Sequence, residues 1–132
     1  PAHNTWCGLA FERVCLLHTR QIKSALGISG ILANIYSWHV KKNDEHPGVQ
    51  IDLVIDRADN VVNICEMKYA PAGYRLTDSE LKKINDRLSV FSLYLPARKV
   101  ALPVLITSNG LLQNNNSFEI PLQVTGDQLF QP

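Results

Sequence analysis

The chain has 132 residues, 45% of them hydrophobic and 19% charged, with thirteen Lys and Arg against twelve Asp and Glu for a net charge of +1. That length gives a single domain, residues 1–132, with a substantial core, and the near-neutral balance excludes bulk charge as a means of holding nucleic acid, so any binding face must come from local clustering. No apolar run approaches the roughly 20 residues that span a bilayer and no secretory signal is visible, which points to a soluble, cytoplasmic protein without a membrane partner.

Three cysteines, Cys7, Cys15 and Cys65, are scattered through apolar segments. An odd number so placed reads as reduced core thiols rather than a disulfide framework, and Cys7 and Cys15 with His18 fit no common zinc spacing. The chain opens at Pro1 without a methionine, which reads as a fragment or a processed product. There is no phosphate-binding glycine loop and no internal repeat, so any motor or switch that this domain serves lies elsewhere.

Apolar residues at helical spacing (Leu9, Ala10, Val14, Leu17, Ala25) predict a helix over residues 6–26, with Gly27 as its stop. Within it Glu12 has Gly8, Leu9, Cys15 and Leu16 as its three- and four-residue neighbours, so it is a candidate for a partly buried carboxylate, or else an exposed Glu at the border of the stripe. Residues 35–40 read as a strand and residues 41–48 as a charged loop. A flexible polar loop explains His46 beside Asp44 and Glu45 better than a ligand cluster does. Lys41 and Lys42, on a mobile loop, are candidate phosphate contacts.

Residues 49–69 form two apolar, β-branched arms around a polar turn, which is the signature of a hairpin. If the turn is the three-residue loop Ala58, Asp59, Asn60, then Asn60 takes the left-handed position that Asn tolerates. Arg57 then faces Val61, Asp52 faces Glu66 and Gln50 faces Lys68, all on one face because side chains alternate. Directly opposed residues have Cβ atoms roughly 4.5 to 5.5 Å apart, and two carboxylates that close repel unless a cation or a shared proton lies between them. A divalent metal would satisfy them, and Gln50 could bond the substrate or the metal's waters. A loop of two or four residues would put Asp52 on the opposite face, and an ordinary solvated edge hairpin accounts for the same spacing.

After a breaker-rich link, Thr77 followed three residues later by Glu80 makes a capping box. The helix that follows carries a buried stripe of Leu81, Ile84, Leu88, Phe91 and Leu95, with Pro96 as its stop, while Lys82, Lys83, Asp86 and Arg87 lie off that stripe. Residues 99–107 read as a strand covered on both faces, with Pro103 arguing for an edge or irregular position. A short strand near 120–124 ends the chain. The order α-β-β-β-α-β describes an α/β layered domain with a mixed sheet flanked by helices.

That order, with an acid on the first helix (Glu12), Asp52 on the second strand and Glu66, one residue, Lys68 on the third, resembles the PD-(D/E)XK nuclease superfamily. The wording G-L-A-F-E, Q-I-D-L-V-I-D, C-E-M-K-Y and L-I-T-S-N-G-L is similar to a domain at the C-terminal end of certain prokaryotic AAA-type ATPases. Ile51 stands where the family name implies proline. The resemblance implies a restriction-endonuclease-like core and a metal-dependent nuclease with Asp52, Glu66, Lys68 and Glu12 as catalytic residues. Mg²⁺ or Mn²⁺ would be held by Asp52, Glu66, the Met67 carbonyl and Glu12, with Lys68 orienting the nucleophile. Arg87 and Lys83, with Gln50, Lys41 and Lys42, would contact nucleic acid, DNA ahead of RNA. The implied partners are an ATPase domain in the same chain and a second copy in a homodimer. A nuclease-like fold kept as an inactive docking module for the ATPase is the alternative, and an unrelated α/β domain in which the same residues form a salt-bridge ladder is a third.

Overall fold

The computed structural model describes residues 2–132, with the side chains of Ala2 and Asn4 outside that description. Two helices, α1 (Ala2–Leu17) and α2 (Thr19–Ala25), precede three strands, β1 (Ala33–Val40), β2 (Val49–Arg57) and β3 (Val61–Lys68). They are followed by α3 (Asp78–Ser92), β4 (Val100–Thr107) and β5 (Gln123–Thr125), with short 3₁₀ turns at Ser117–Glu119 and Gly126–Phe130. The five strands make one sheet in the order β1-β2-β3-β4-β5. β1, β2 and β3 are antiparallel neighbours, whereas β4 and β5 run parallel. This is a mixed sheet flanked by helices, the α/β class read from the sequence and consistent with a restriction-endonuclease-like core.

Local chemistry accounts for the element boundaries. The first helix is broken at His18, whose backbone (φ −123°, ψ 35°) leaves the helical region. Its ring Nδ1 lies 2.6 Å from the Val14 carbonyl; an oxygen there can only accept, so Nδ1 carries the proton. α2 then closes on Gly27 (φ +73°), with the Ile28 amide bonded to the Lys23 carbonyl at 2.9 Å and the Gly27 amide to the Ser24 carbonyl at 3.0 Å. That pair of bonds satisfies carbonyls the helix end would otherwise orphan, and the left-handed residue it needs is cheapest as glycine. At α3 the Thr77 hydroxyl accepts from the Glu80 amide at 3.2 Å, and the helix ends at Ser92, a turn before Pro96. Pro103 sits inside β4 without loss: the Leu105 amide bonds the Leu122 carbonyl, and the position two residues earlier points the same way before β5 begins opposite Leu105.

The chain separates into two compact units. One comprises Ile31–Glu66 and Thr77–Val104. Its core is Val49, Ile51, Val54, Val62 and Ile64 from β2 and β3 with Val90 and Phe91 from α3, and Trp38 packs edge-on against Phe91 at 5.0 Å between centroids. The other comprises the chain up to Gly30 with Met67–Leu76 and Leu105–Pro132. Its buried residues include Cys15, Ile22, Leu76, Leu105, Ile120 and Leu129. There Gly126 is obligatory: a Cβ would lie 2.4 Å from the Ser108 carbonyl oxygen. Among the described residues no helix is long and apolar enough to cross a membrane.

Candidate functional site

The hairpin turn has the three residues expected. β2 ends at Arg57 and β3 begins at Val61, with Asn60 in the left-handed region at φ +69°. Arg57 clamps the turn: Nε and Nη2 donate to Asp59 at 2.9 and 2.6 Å, and Nη1 donates to Asn63 Oδ1 at 3.1 Å. The rungs Asp56 with Val62, Ile55 with Asn63, Val54 with Ile64 and Leu53 with Cys65 follow from that loop length. That register fixes a three-residue loop, so loops of two or four residues are excluded.

The alternation argument that put Asp52 and Glu66 on one face does not carry beyond these rungs. The paired ladder ends at Leu53 and Cys65. On its other side β2 carries an extra residue: Tyr36 pairs with Val54 and Trp38 with Ile51, so Asp52 and Leu53 together oppose Ser37. A bulge of this kind reverses which residues face inward. Val49 and Ile51 accordingly join Val54 in one buried cluster although their positions differ in parity. Gln50 and Asp52 turn together, and Gln50 Nε2 donates to Asp52 Oδ1 at 2.9 Å. Glu66 keeps step with Val62 and Ile64, which belong to that cluster, and accepts from Arg87 Nη1 of α3 at 2.9 Å. Asp52 and Glu66 therefore adjoin the end of the paired hairpin without keeping the single face expected of them, each held by its own partner.

The remaining candidates fall into separate settings. Arg87, expected to contact phosphate, is committed to Glu66. Lys83 is exposed and lies 3.4 Å from Glu80. Lys41 and Lys42 are exposed, and the loop they open is held by hydrogen bonds of its own side chains. Asn43 Oδ1 accepts from the amides of Glu45 and His46 at 2.8 and 2.9 Å, and His46 is buried. Its Nδ1 donates to the Pro47 carbonyl at 2.7 Å, which leaves Nε2 to accept from the Tyr94 hydroxyl at 2.7 Å and pins the loop to the chain just past α3. Glu12, Met67 and Lys68 belong to the other unit and are half-buried. Lys68 ends β3, its carbonyl accepting from the Ser108 amide at 3.1 Å. Burial, with the charge of Glu12 as the second cause, pushes the Cys15 thiol up to about 12. Among the described residues no three His, Cys, Asp or Glu side chains are grouped to hold a metal ion.

Two further features were not read from the sequence. Asn63 is fully buried; its Oδ1 serves Arg57, while its Nδ2 has no hydrogen-bond acceptor. An Asn inside the apolar run V-V-N-I-C, one strand across from Arg57's neighbourhood, was the available signal. The second feature is a cleft of about 490 Å³ at the turn end of the hairpin, lined by Leu32, Asn34, Asp56, Arg57, Arg98 and Lys99. Lys99 Nζ reaches both oxygens of Asp56, at 2.9 and 3.1 Å. Burial, then the charge of Asp56 and a hydrogen bond to it, raise Tyr36 above the usual phenol range.

The chain matches no family model and no curated protein sequence. In three dimensions it is similar to a solved structure titled "Crystal Structure of Protein of Unknown Function AF1548", with a TM-score of 0.50 and 17% identity over 82% of this chain. The chain spans 56% of that protein's length, and a likeness at this identity is one of fold.

Proposed function

We propose that this chain is a metal-dependent nuclease domain that hydrolyses phosphodiester bonds of nucleic acid in the cytoplasm, in association with an ATPase. The observation that carries the reading is that Asp52 and Glu66 each adjoin the last rung of the hairpin, Leu53 with Cys65, on the side away from the turn. The element order and the PD-(D/E)XK-like spacing of Glu12, Asp52, Glu66 and Lys68 support it.

The donor chemistry at the hairpin end fits Mg²⁺, a hard cation that is often bound by one or two carboxylates and keeps several waters. Asp52 is held by a neutral amide and Glu66 by Arg87 at one oxygen, so each carboxylate keeps a second oxygen to offer. Bound there, the metal would activate a water and neutralise charge on the scissile phosphate. Gln50 orients the Asp52 carboxylate, and Arg87 orients that of Glu66. The resemblance adds Glu12 and the Met67 carbonyl to the ligands and Lys68 as the group that steers the nucleophile.

The purified chain with Mg²⁺ or Mn²⁺ is expected to cut single- or double-stranded DNA or RNA, and Asp52→Ala to lose the activity. No cleavage with either metal, or undiminished cleavage by Asp52→Ala, overturns the reading. The Arg87–Glu66 ion pair favours one other reading, an inactive module that docks to its ATPase and uses Glu66 structurally. Metal titration by calorimetry separates them, because the docking module shows no specific affinity.

A further inference from the structure

β1 is an outer strand of the sheet, paired with β2 along one side. The Ala58 amide donates to the Leu32 carbonyl at 2.8 Å, so Leu32 turns its backbone groups towards β2. Successive residues of an antiparallel strand turn alternately towards and away from their partner. Ala33 and Ile35 therefore present N–H and C=O to the open side, while Asn34 faces β2. Four consecutive residues, Asn34 to Ser37, are exposed. Neighbours on a strand belong to opposite faces, so β1 projects past the covering layers on both. It contains no Lys, Arg, Asp, Glu or Pro, the residues that ordinarily keep sheet edges apart.

We infer that this edge is where a second copy of the chain adds its own β1, antiparallel, about a two-fold axis at Ser37, so that the sheet continues from one copy into the next. A two-fold interface presents the same strand from both sides, and here that is self-consistent. Antiparallel pairing about Ser37 sets outward Ile35 against outward His39 and Tyr36 against Trp38, and no like charges are opposed. Apolar surface flanks the edge: Leu32, 82% exposed, precedes the strand, and Tyr94, 49% exposed, lies 5.6 Å from Trp38 between ring centroids. One strand edge with these flanks is smaller than the roughly 800 Å² per partner of a standard interface, so the dimer is weak and concentration-dependent.

Sedimentation equilibrium on the whole chain, with amide exchange at low and high concentration, tests this. The expected result is a reversible dimer with micromolar dissociation, and exchange protection at the Ala33 and Ile35 amides that grows with concentration while Asn34 is protected throughout. Ile35→Pro removes an outward N–H and leaves the β2 pairing intact, and Ile35→Lys keeps the backbone but adds a charge. Each is expected to weaken dimerisation tenfold or more with the circular dichroism spectrum unchanged. A chain monomeric at every concentration, a dimer indifferent to both variants, or protection of Ala33 and Ile35 by an added peptide strand but not by a second copy overturns the inference.

Discussion

The ion pair between Arg87 and Glu66 offers the sharpest test of how the hairpin end is held. The two groups are 2.9 Å apart, with the Glu66 side chain 13% and the Arg87 side chain 32% exposed. At an effective dielectric near 20, unit charges about 4 Å apart attract by about 4 kcal/mol. Desolvation and lost rotamer freedom offset much of this, and a hydrogen bond between charged groups typically nets about 1.5 to 3 kcal/mol. The partial exposure of Arg87 places this pair at the lower end of that range. Arg87→Ala should therefore lower the unfolding free energy by about 1.5 kcal/mol plus a smaller loss of stem packing. A double-mutant cycle with Glu66→Gln, read by urea unfolding at constant m-value, should return a coupling of about 1 kcal/mol or more. Additivity of the two substitutions within about 0.3 kcal/mol would refute the pairing as an energetic link. The same variant bears on function: if Glu66 is a metal ligand, Arg87→Ala releases its bonded oxygen and Mn²⁺ affinity rises, whereas a purely structural Glu66 leaves the titration unchanged.

Two other outcomes follow from local geometry. At Asn60 (φ +69°), Asn60→Gly should leave stability unchanged or raise it slightly, and Asn60→Val should cost about 1 to 2 kcal/mol in chemical denaturation. Cys15 has its thiol raised from 9.0 to about 12, so the folded chain holds that proton after the unfolded chain has lost it. Above pH 9 the unfolded state then binds fewer protons, and this contribution to stability falls as pH rises towards about 12. Urea titrations at pH 8 and pH 10 should show the decline, and Cys15→Ala should remove it. Iodoacetamide should spare Cys15 in the folded chain at pH 8.

Much of the fold was written in local signals. Gly27, Thr77 with Glu80, and the Ala58–Asp59–Asn60 turn each satisfy a specific backbone need, and a need met within a few residues can be read from those residues. The failures share the opposite character. The extra residue in β2 is defined by pairing with β1, and the run N-I-Y-S-W-H-V carries no mark of it. His46 is adjacent to acids in sequence, yet its partner Tyr94 is 48 positions away, so composition pointed to a solvated loop. The break at His18 depends on a side chain reaching back to Val14 within an otherwise helical pattern.

The bulge also explains why the site has the form it does. Had β2 alternated without interruption, Val49 and Ile51 would share a face with Leu53 and Ile55, and Gln50 and Asp52 would take their places beside Val54. The cluster against α3 would then lose two side chains that are 8% and 2% exposed, each worth about 1.5 to 3 kcal/mol when buried. It would gain an amide and a carboxylate among Val62, Ile64 and Phe91, where an uncompensated charge costs several kcal/mol. Core packing thus selects the reversal, and the reversal turns Asp52 out of the cluster one residue past the last rung between β2 and β3. In the proposed nuclease site, a cation shared by Asp52 and Glu66 would therefore have to be taken at the open end of the hairpin, past Leu53 and Cys65, and not across the paired ladder.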